Sequence, residues 1–306
     1  MSARTAWDSR RFAAQNFYTT FLSDTAEEKV KTFWNQLALT FQKNKSNFSL
    51  QGGYKSAEDK YRFNQSSTAN VNKSRLLQLL TTYRYKPSEA TVITAGAQFQ
   101  NRTIRSNDRG DHAVQQNALF LLLEQRLGNN FYVNPAARFD WNESSGGEFV
   151  PQLNLSYHIS NIQLRGSIGK TIREADFTER YNNYNKSLVK SGSIGNPDLV
   201  PERSLSYEAG VDLFVQQYLK IAATYFNRSQ KDLIDYVPTP YDQMPRKGNL
   251  IATGNYALAK NISSVDTRGF ETDIQFSKSV SAKNKIWSTV GFVWLHSAPS
   301  EPSPSF

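Results

Sequence analysis

The sequence predicts an all-β fold: an antiparallel, up-and-down transmembrane β-barrel, or a part of one. Three observations carry that prediction. Aromatic residues make up 13% of the 306 residues, as 15 Tyr, 19 Phe and 5 Trp, yet mean hydropathy is negative. Apolar residues recur at every second position in segment after segment. Tight turns alternate with long polar connections. Strands with one face in lipid and the other against a wet lumen would produce all three.

Taken in order, the alternating rows are these. Leu37, Leu39 and Phe41 alternate with Ala38, Thr40 and Gln42. Ile93, Ala95, Ala97 and Phe99 form a second row. Leu153, Leu155, Tyr157 and Ile159 form a third, with Asn154, Ser156 and His158 between them. Leu205, Tyr207, Ala209, Val211 and Leu213 alternate with Ser206, Glu208, Gly210 and Asp212. Leu219, Ile221, Ala223 and Tyr225 follow, then Phe270, Thr272, Ile274 and Phe276. Residues 117–127 (NALFLLLEQRL) are ambiguous, because Ala, Leu, Glu and Gln favour helix. The strands around this segment assign it to the sheet.

Tight turns are expected near 44–46, 87–89, 128–130, 160–161, 216–217 and 281–284. Longer polar loops are expected at 59–71, 105–111, 143–148, 171–203 and 229–264. Alternating short and long connections are the pattern of an outer-membrane barrel, short on the periplasmic side and long outside. The reading gives about 13 strands, most of them long enough for a tilted crossing. An odd, open set does not close, and an open edge finds no partner in lipid. The expectation is therefore a portion of a larger barrel. Residues 1–11 are charged and lack the apolar core of an export signal. Residues 298–306 (APSEPSPSF) read as loop, with the terminal Phe306 given little weight.

Other classes are set aside. The longest apolar run, 118–123, is far short of the roughly 20 residues of a spanning helix. There is no cysteine, and the three histidines, His112, His158 and His296, are dispersed. No G-x-S-x-G elbow is present. The chain is not expected to be an enzyme, and no cofactor or metal site is expected. The net charge of +9 comes from basic residues scattered along the chain, so nucleic acid is not an expected partner. That charge suits an anionic ligand or lipopolysaccharide phosphates, and equally an ordinary surface. Asp108-Arg109-Gly110-Asp111 lacks the ligand spacing of a calcium loop and reads as a polar loop tip.

Residues 171–210 form a long loop closing into a strand. Gly195-Asn196-Pro197-Asp198 is a turn signal, and alternation resumes at Leu205. Gly195-Asn196-Pro197-Asp198-Leu199-x-Pro201-Glu202, followed by Ser204-x-Ser206-Tyr207-Glu208-x-Gly210, resembles the late-barrel signature of TonB-dependent outer-membrane receptors. The stretch from Gly169 through Arg173, Ala175, Phe177 and Glu179 to Tyr181 resembles the family's preceding segment. Downstream, Thr224–Asn227, Asp232–Tyr236 and Arg268-Gly269-Phe270-Glu271 resemble its next strand, loop and r-G-x-E strand.

The resemblance implies a barrel of about 22 strands with a plugged lumen, in the outer membrane of a Gram-negative bacterium. Residues 1–306 are then one partial receptor-barrel domain, with neither plug nor terminal strands recognised in the sequence. It also implies uptake, without covalent chemistry, of a scarce metal chelate such as an iron-siderophore or a cobalamin-like ligand. The energising partner would be the TonB–ExbB–ExbD complex, acting through a plug, with outer-membrane lipid and lipopolysaccharide around the wall. Aromatic, arginine and amide side chains in long loops suit such ligands. Arg173, Phe177, Arg180, Tyr181, Asn182, Asn183, Tyr184 and Asn185 form the first candidate loop. Tyr236, Tyr241, Arg246, Lys247 and Asn249 form the second. Tyr181 and Tyr184 could equally belong to an interfacial aromatic belt. The Gly195–Leu199 turn is expected to be structural. Glu208, Asp212 and Glu271 are expected on the lumen wall, solvated or ion-paired. A passive porin, a soluble basic β-sheet binding protein and an outer-membrane hydrolase are the competing readings.

Overall fold

The computed structural model describes residues 1–15, 25–262 and 264–299. Thirteen strands form one antiparallel sheet in meander order. The first six are β1 (Ser2–Ala13), β2 (Glu27–Lys43), β3 (Ser46–Arg62), β4 (Asn70–Ser88), β5 (Thr91–Ser106) and β6 (Gly110–Leu127). Then come β7 (Phe131–Asn142), β8 (Gly146–Ile159) and β9 (Ile162–Arg173). Between β9 and the next wall strand lie α1 (Phe177–Tyr181) and β10 (Val189–Ile194). β11 (Glu202–Val215) and β12 (Leu219–Lys231) continue the wall. β13 (Ile234–Thr239) and β14 (Leu250–Asn261) interrupt it before β15 (Val265–Ser279) and β16 (Lys285–Pro299) complete it. β10, β14 and β13 make a second, three-stranded sheet. Among the described residues β1 and β16 are the two open edges of the large sheet.

The register carries one apolar face across the wall. Ala97 on β5 lies opposite Leu119, Leu119 opposite Phe139, and Phe139 opposite Phe149. Farther along, Leu153, Ile168 and Tyr207 align, then Ala209, Tyr225, Phe270 and Trp294. Side chains directly opposite share a face, and most of these large apolar groups are exposed, Leu119 at 65%. A protein does not turn so broad an apolar surface to water, so this is the lipid face. The other face carries Gln98, Gln100, Arg102, Arg138, Asp140, Arg165, Asp212 and Glu271, and is the lumen wall.

All six expected tight turns are present. Asn44, Ser160 and Gln216 take positive φ there, as does Gly128, which lets a short link follow the twist of its flanking strands. Residues 117–127 are strand, within β6. The long connections differ from the reading in three ways. The links at 105–111 and 143–148 shrink to 107–109 and 143–145, because Arg105 and Asp111 are cross-strand partners and Glu148 pairs with Asp140. The connections at 171–203 and 229–264 are not loops but fold into the second sheet. That sheet also contains a parallel pair, β10 with β14, inside an otherwise antiparallel structure. Ala298 and Pro299 continue β16 rather than starting a loop. Residues 300–306, including Phe306, lie outside the described residues.

Candidate functional site

The two long connections build one cap at the end of the wall away from the tight turns. Val189, Ile194, Met244, Leu250, Tyr256 and Leu258 form its main core, with Tyr241 packed against them. A smaller cluster of Ala175, Leu199 and Ala259, joined by Ile234 and Tyr236, ties it to the wall. Neither connection buries these groups alone, which is why both must be present for either to order.

The cap folds inward. Phe177 and Arg180 of α1 close a small cavity against Arg102, Val114 and Asn142, all on the lumen side of β5, β6 and β7. Its volume is about 10 Å³, roughly one water molecule. His112, also on the lumen side of β6, stacks on Tyr181 with ring centroids 3.5 Å apart and planes 6° from parallel. Lys186 Nζ lies 3.2 Å from Asp108 Oδ1, and the Asn185 amide donates to the Asp108 carbonyl at 2.8 Å. Ser145 donates to Glu174 at 2.6 Å. The β5–β6 and β7–β8 turns thus serve as the cap's seat.

Most residues singled out in the sequence are brought together here, many of them holding the cap. Asp176 caps α1, accepting from the Thr178 and Glu179 amides at 2.7 and 2.8 Å. Glu179 returns the bond to the Asp176 amide at 2.9 Å, completing a capping box. Arg173 joins Glu179, at 3.0 Å, and Glu202. Arg180 is buried and donates to the Pro197 carbonyl. Asn182 and Asn183 both donate to the Ser193 carbonyl at 2.9 Å. Asn249 reaches back to the carbonyls of Asn183 and Lys186. Tyr236 hydrogen-bonds the Thr178 carbonyl at 3.4 Å. Burial, reinforced by Asp176 and Glu179, pushes its hydroxyl up to about 12.

Other candidates lie exposed or half-buried on the cap. Arg246 is exposed and sits 4.1 Å from the centroid of Tyr184, whose ring meets Tyr181 edge-on at 5.9 Å. Lys247 lies over Tyr241 at 5.6 Å. His112, Tyr181, Tyr184 and Arg246 therefore form a continuous chain of ring contacts from the lumen wall to the cap surface. Sequence reasoning missed His112 in this role, because its partner lies on a distant segment with no shared local pattern.

The late-barrel motif packs within the cap and against the wall. A Cβ on Gly195 would lie 2.3 Å from the Tyr181 backbone nitrogen, so no other residue fits beneath α1. Asn196 donates to the Ala259 carbonyl at 3.1 Å and accepts from the Asp198 amide at 3.0 Å. Leu199 and Pro201 are buried, and Glu202 accepts from the Ile234 amide at 2.8 Å. The motif stitches the first long connection to the second. On the wall, Arg165 lies over Gly210 and reaches Asp212 at 2.8 Å and Thr224 at 3.1 Å. Lys220 is 3.1 Å from the same Asp212, which is only 3% exposed. The Phe226 ring covers Gly269, where a Cβ would come within 2.4 Å of it. Glu208 and Glu271 stand exposed on the lumen face. Among the described residues no group of three His, Asp or Glu side chains is placed to hold a metal ion.

Residues 2–304 match the family model described as TonB dependent receptor-like, beta-barrel. The chain belongs to this family of TonB-dependent receptor barrels. The siderophore receptor PirA from Pseudomonas aeruginosa is similar, at TM-score 0.71 and 15% identity, over 97% of this chain and 57% of that one. The outer membrane transporter YddB from Escherichia coli aligns at 0.75 and 11% identity, over 97% and 45%. A mutant of the ferric enterobactin receptor PfeA from Pseudomonas aeruginosa aligns at 0.70 and 13% identity, over 88% and 43%. The receptor barrel spans roughly half the length of these solved proteins. No curated protein matches the sequence. The family and the continuous apolar face place this receptor barrel in the Gram-negative outer membrane, with its cap on the outer side by the rule that tight turns are periplasmic.

Proposed function

We propose that this receptor barrel holds a metal chelate of the iron-siderophore or corrinoid type at its outer mouth. Uptake would then be driven by the TonB–ExbB–ExbD complex acting through a plug domain. The observation that carries the reading is the inward-folded cap, with the Arg246 guanidinium set on the Tyr184 ring at its surface. A flat cation backed by an aromatic ring suits a ligand with aromatic rings and anionic edges. The rest of the cap is tied down by its own hydrogen bonds, so the ligand meets a preformed surface and less ordering entropy opposes binding. Binding and release need no bond made or broken, so the reading is of a carrier and not an enzyme. PirA and PfeA, as named siderophore and ferric enterobactin receptors, support the ligand class by analogy.

The test is growth of the host on a panel of ferric siderophores under iron limitation and on corrinoids under cobalamin limitation, with this gene deleted and, separately, with tonB deleted. The expected result is loss of growth on one chelate in both strains. Uptake that persists without TonB would replace the reading with a passive channel. Uptake unchanged without this gene would remove it.

A further inference from the structure

Two cations on the lumen wall stand without a counter-ion, in one row that starts at the cap's inner edge. The row runs Trp34, Lys55, Leu76, Arg102 and Val114 across β2 to β6. Its Val114 end lies under Phe177 and Arg180 of the cap. Among the described residues neither the exposed Lys55 nor the half-buried Arg102 has an ion-pair or hydrogen-bond partner for its side chain, and the Arg102 Nε is buried with none. The wall farther round is different. Arg138 meets Asp140 at 2.7 Å, Lys170 meets Glu148 at 2.7 Å, and Arg165 and Lys220 share Asp212. On the lumen side of β2–β5 the carboxylate nearest to Lys55 is Asp59, four residues outward and roughly 13 Å along the strand. Asp59 already accepts from Asn72 at 3.3 Å.

A slot opens beside Lys55 in the same row. It holds about 300 Å³, and Trp34, Gln36, Gln51, Lys55 and Gln78 are among its walls. Gly53 lies on its floor, between Gln36 and Gln78. A Cβ on Gly53 would have its closest neighbour, the Asn35 carbonyl, at 3.9 Å, so a longer side chain there would stand in the slot. Trp34 offers a ring face, the glutamines offer amide donors, and Lys55 offers charge. No carboxylate lines the slot, so nothing in it repels an anion. Arg102 stands two strands from Lys55, roughly 10 Å away, and its unpaired N–H groups are costly to leave unmade.

We propose that this slot is a second ligand position, inside the lumen, and that it selects for negative charge. An aromatic ring of the ligand lies on Trp34, with anionic edges toward Lys55 and Arg102. The inference rests on the uptake reading and deepens it, because it names the cargo as a polyanionic chelate with aromatic donors. A ferric tricatecholate is such a polyanion. A ferric trihydroxamate is neutral, because three monoanions cancel the charge of the iron.

The test uses the whole receptor, purified in detergent from outer membranes, and counts bound radio-iron at equilibrium. The two probes are a hexadentate ferric tricatecholate and a hexadentate, neutral ferric trihydroxamate. Two equivalents of the tricatecholate are expected, one at the cap surface and one in the slot, with no trihydroxamate in the slot. Gly53→Leu fills the slot, leaves every charge in place and should remove one equivalent. Lys55→Gln with Arg102→Gln should weaken that equivalent roughly tenfold. Arg246→Gln should weaken only the other, so the two readings fail separately. An equivalent sensitive to Arg246 without one sensitive to Gly53 overturns the slot, and the reverse removes the cap surface as a holding place and leaves the slot. Trihydroxamate that fills the slot equally well overturns the proposal, and so does undiminished binding by the folded double variant. A slot that stays empty in the unaltered receptor, as when a carboxylate from elsewhere in the receptor already lies on Lys55 and Arg102, overturns it too. Unchanged heat-modifiable migration on gels shows that a variant still folds. If neither slot variant folds, the two chelates compared on the unaltered receptor decide alone, a second equivalent being expected for the tricatecholate only.

Discussion

His112 and Tyr181 lie face to face, 3.5 Å between centroids, and this stack is where the cap meets the lumen wall. The two rings come from β6 and α1, which also meet where Phe177 and Arg180 close over Val114. Such a pair contributes about 1 kcal/mol beyond its buried area. His112→Ala and Tyr181→Ala should each loosen residues 174–201, seen as faster amide exchange there and unchanged exchange in β11 and β12. A double-mutant cycle should give a coupling near 1 kcal/mol. Additive effects of the two substitutions would mean that the rings touch without holding anything.

Gly195 tests the role of the late-barrel motif. Its missing side chain lets the chain pass beneath Tyr181 and Asn182, and an added Cβ would strike their backbone nitrogens. Backbone cannot swing aside as a flexible side chain can, so Gly195→Ala should cost about 3 kcal/mol of cap stability. A five-residue helix such as α1 has no stability of its own. The expected readout is protease cleavage within both long connections, 174–201 and 232–264, with the wall intact. Cleavage confined to the first would show that the motif does not tie the two together.

The wall was legible in the sequence and the cap was not, for the same physical reason. Leu205, Tyr207, Ala209 and Val211 declare a strand because the period of two is local, and lipid demands it along the whole crossing. β10 and β14 pair in parallel across the intervening wall strands, so neither segment carries its partner's pattern. Their apolar residues, Val189, Ile194, Leu250 and Leu258, are too few and too widely placed to signal a core. Arg105 and Asp111 misled for a different reason. They are polar because they stand above the lipid, not because the chain has left the sheet. The candidate residues near Tyr184 were found by composition alone, whereas the supporting roles of Arg173, Arg180 and Asn183 needed coordinates.

The lipid-face assignment predicts an asymmetry between neighbours. Leu119 points outward and Gln100 inward, on paired strands. Leu119→Arg places a cation in hydrocarbon and should cost about 2–4 kcal/mol if it lies near the midplane. Gln100→Arg meets a wet wall and should cost under about 0.5 kcal/mol. Urea unfolding of the receptor from phospholipid vesicles, followed by tryptophan fluorescence, compares them. Equal costs would mean that the faces have been assigned the wrong way round, or that the wall is not embedded.

Tyr236 makes the cap sensitive to alkali in a predictable direction. Its hydroxyl titrates at about 12, above the ordinary 10.0, because burial and the nearby Asp176 and Glu179 disfavour the phenolate. The folded cap therefore holds this proton more tightly than the unfolded one. The associated stability is complete below pH 10 and is lost as pH rises from about 10 to about 12. Tyr236→Phe keeps the ring against Ala175 and Leu199 but removes the ionising group. It forgoes the hydrogen bond to Thr178, at 3.4 Å a long one, so the loss at neutral pH should be small. Amide exchange in β13 and α1, measured across this range, should show opening at a higher pH in the variant than in the unaltered receptor. Opening at the same pH in both would assign the alkaline transition to some other group and leave Tyr236 as packing only.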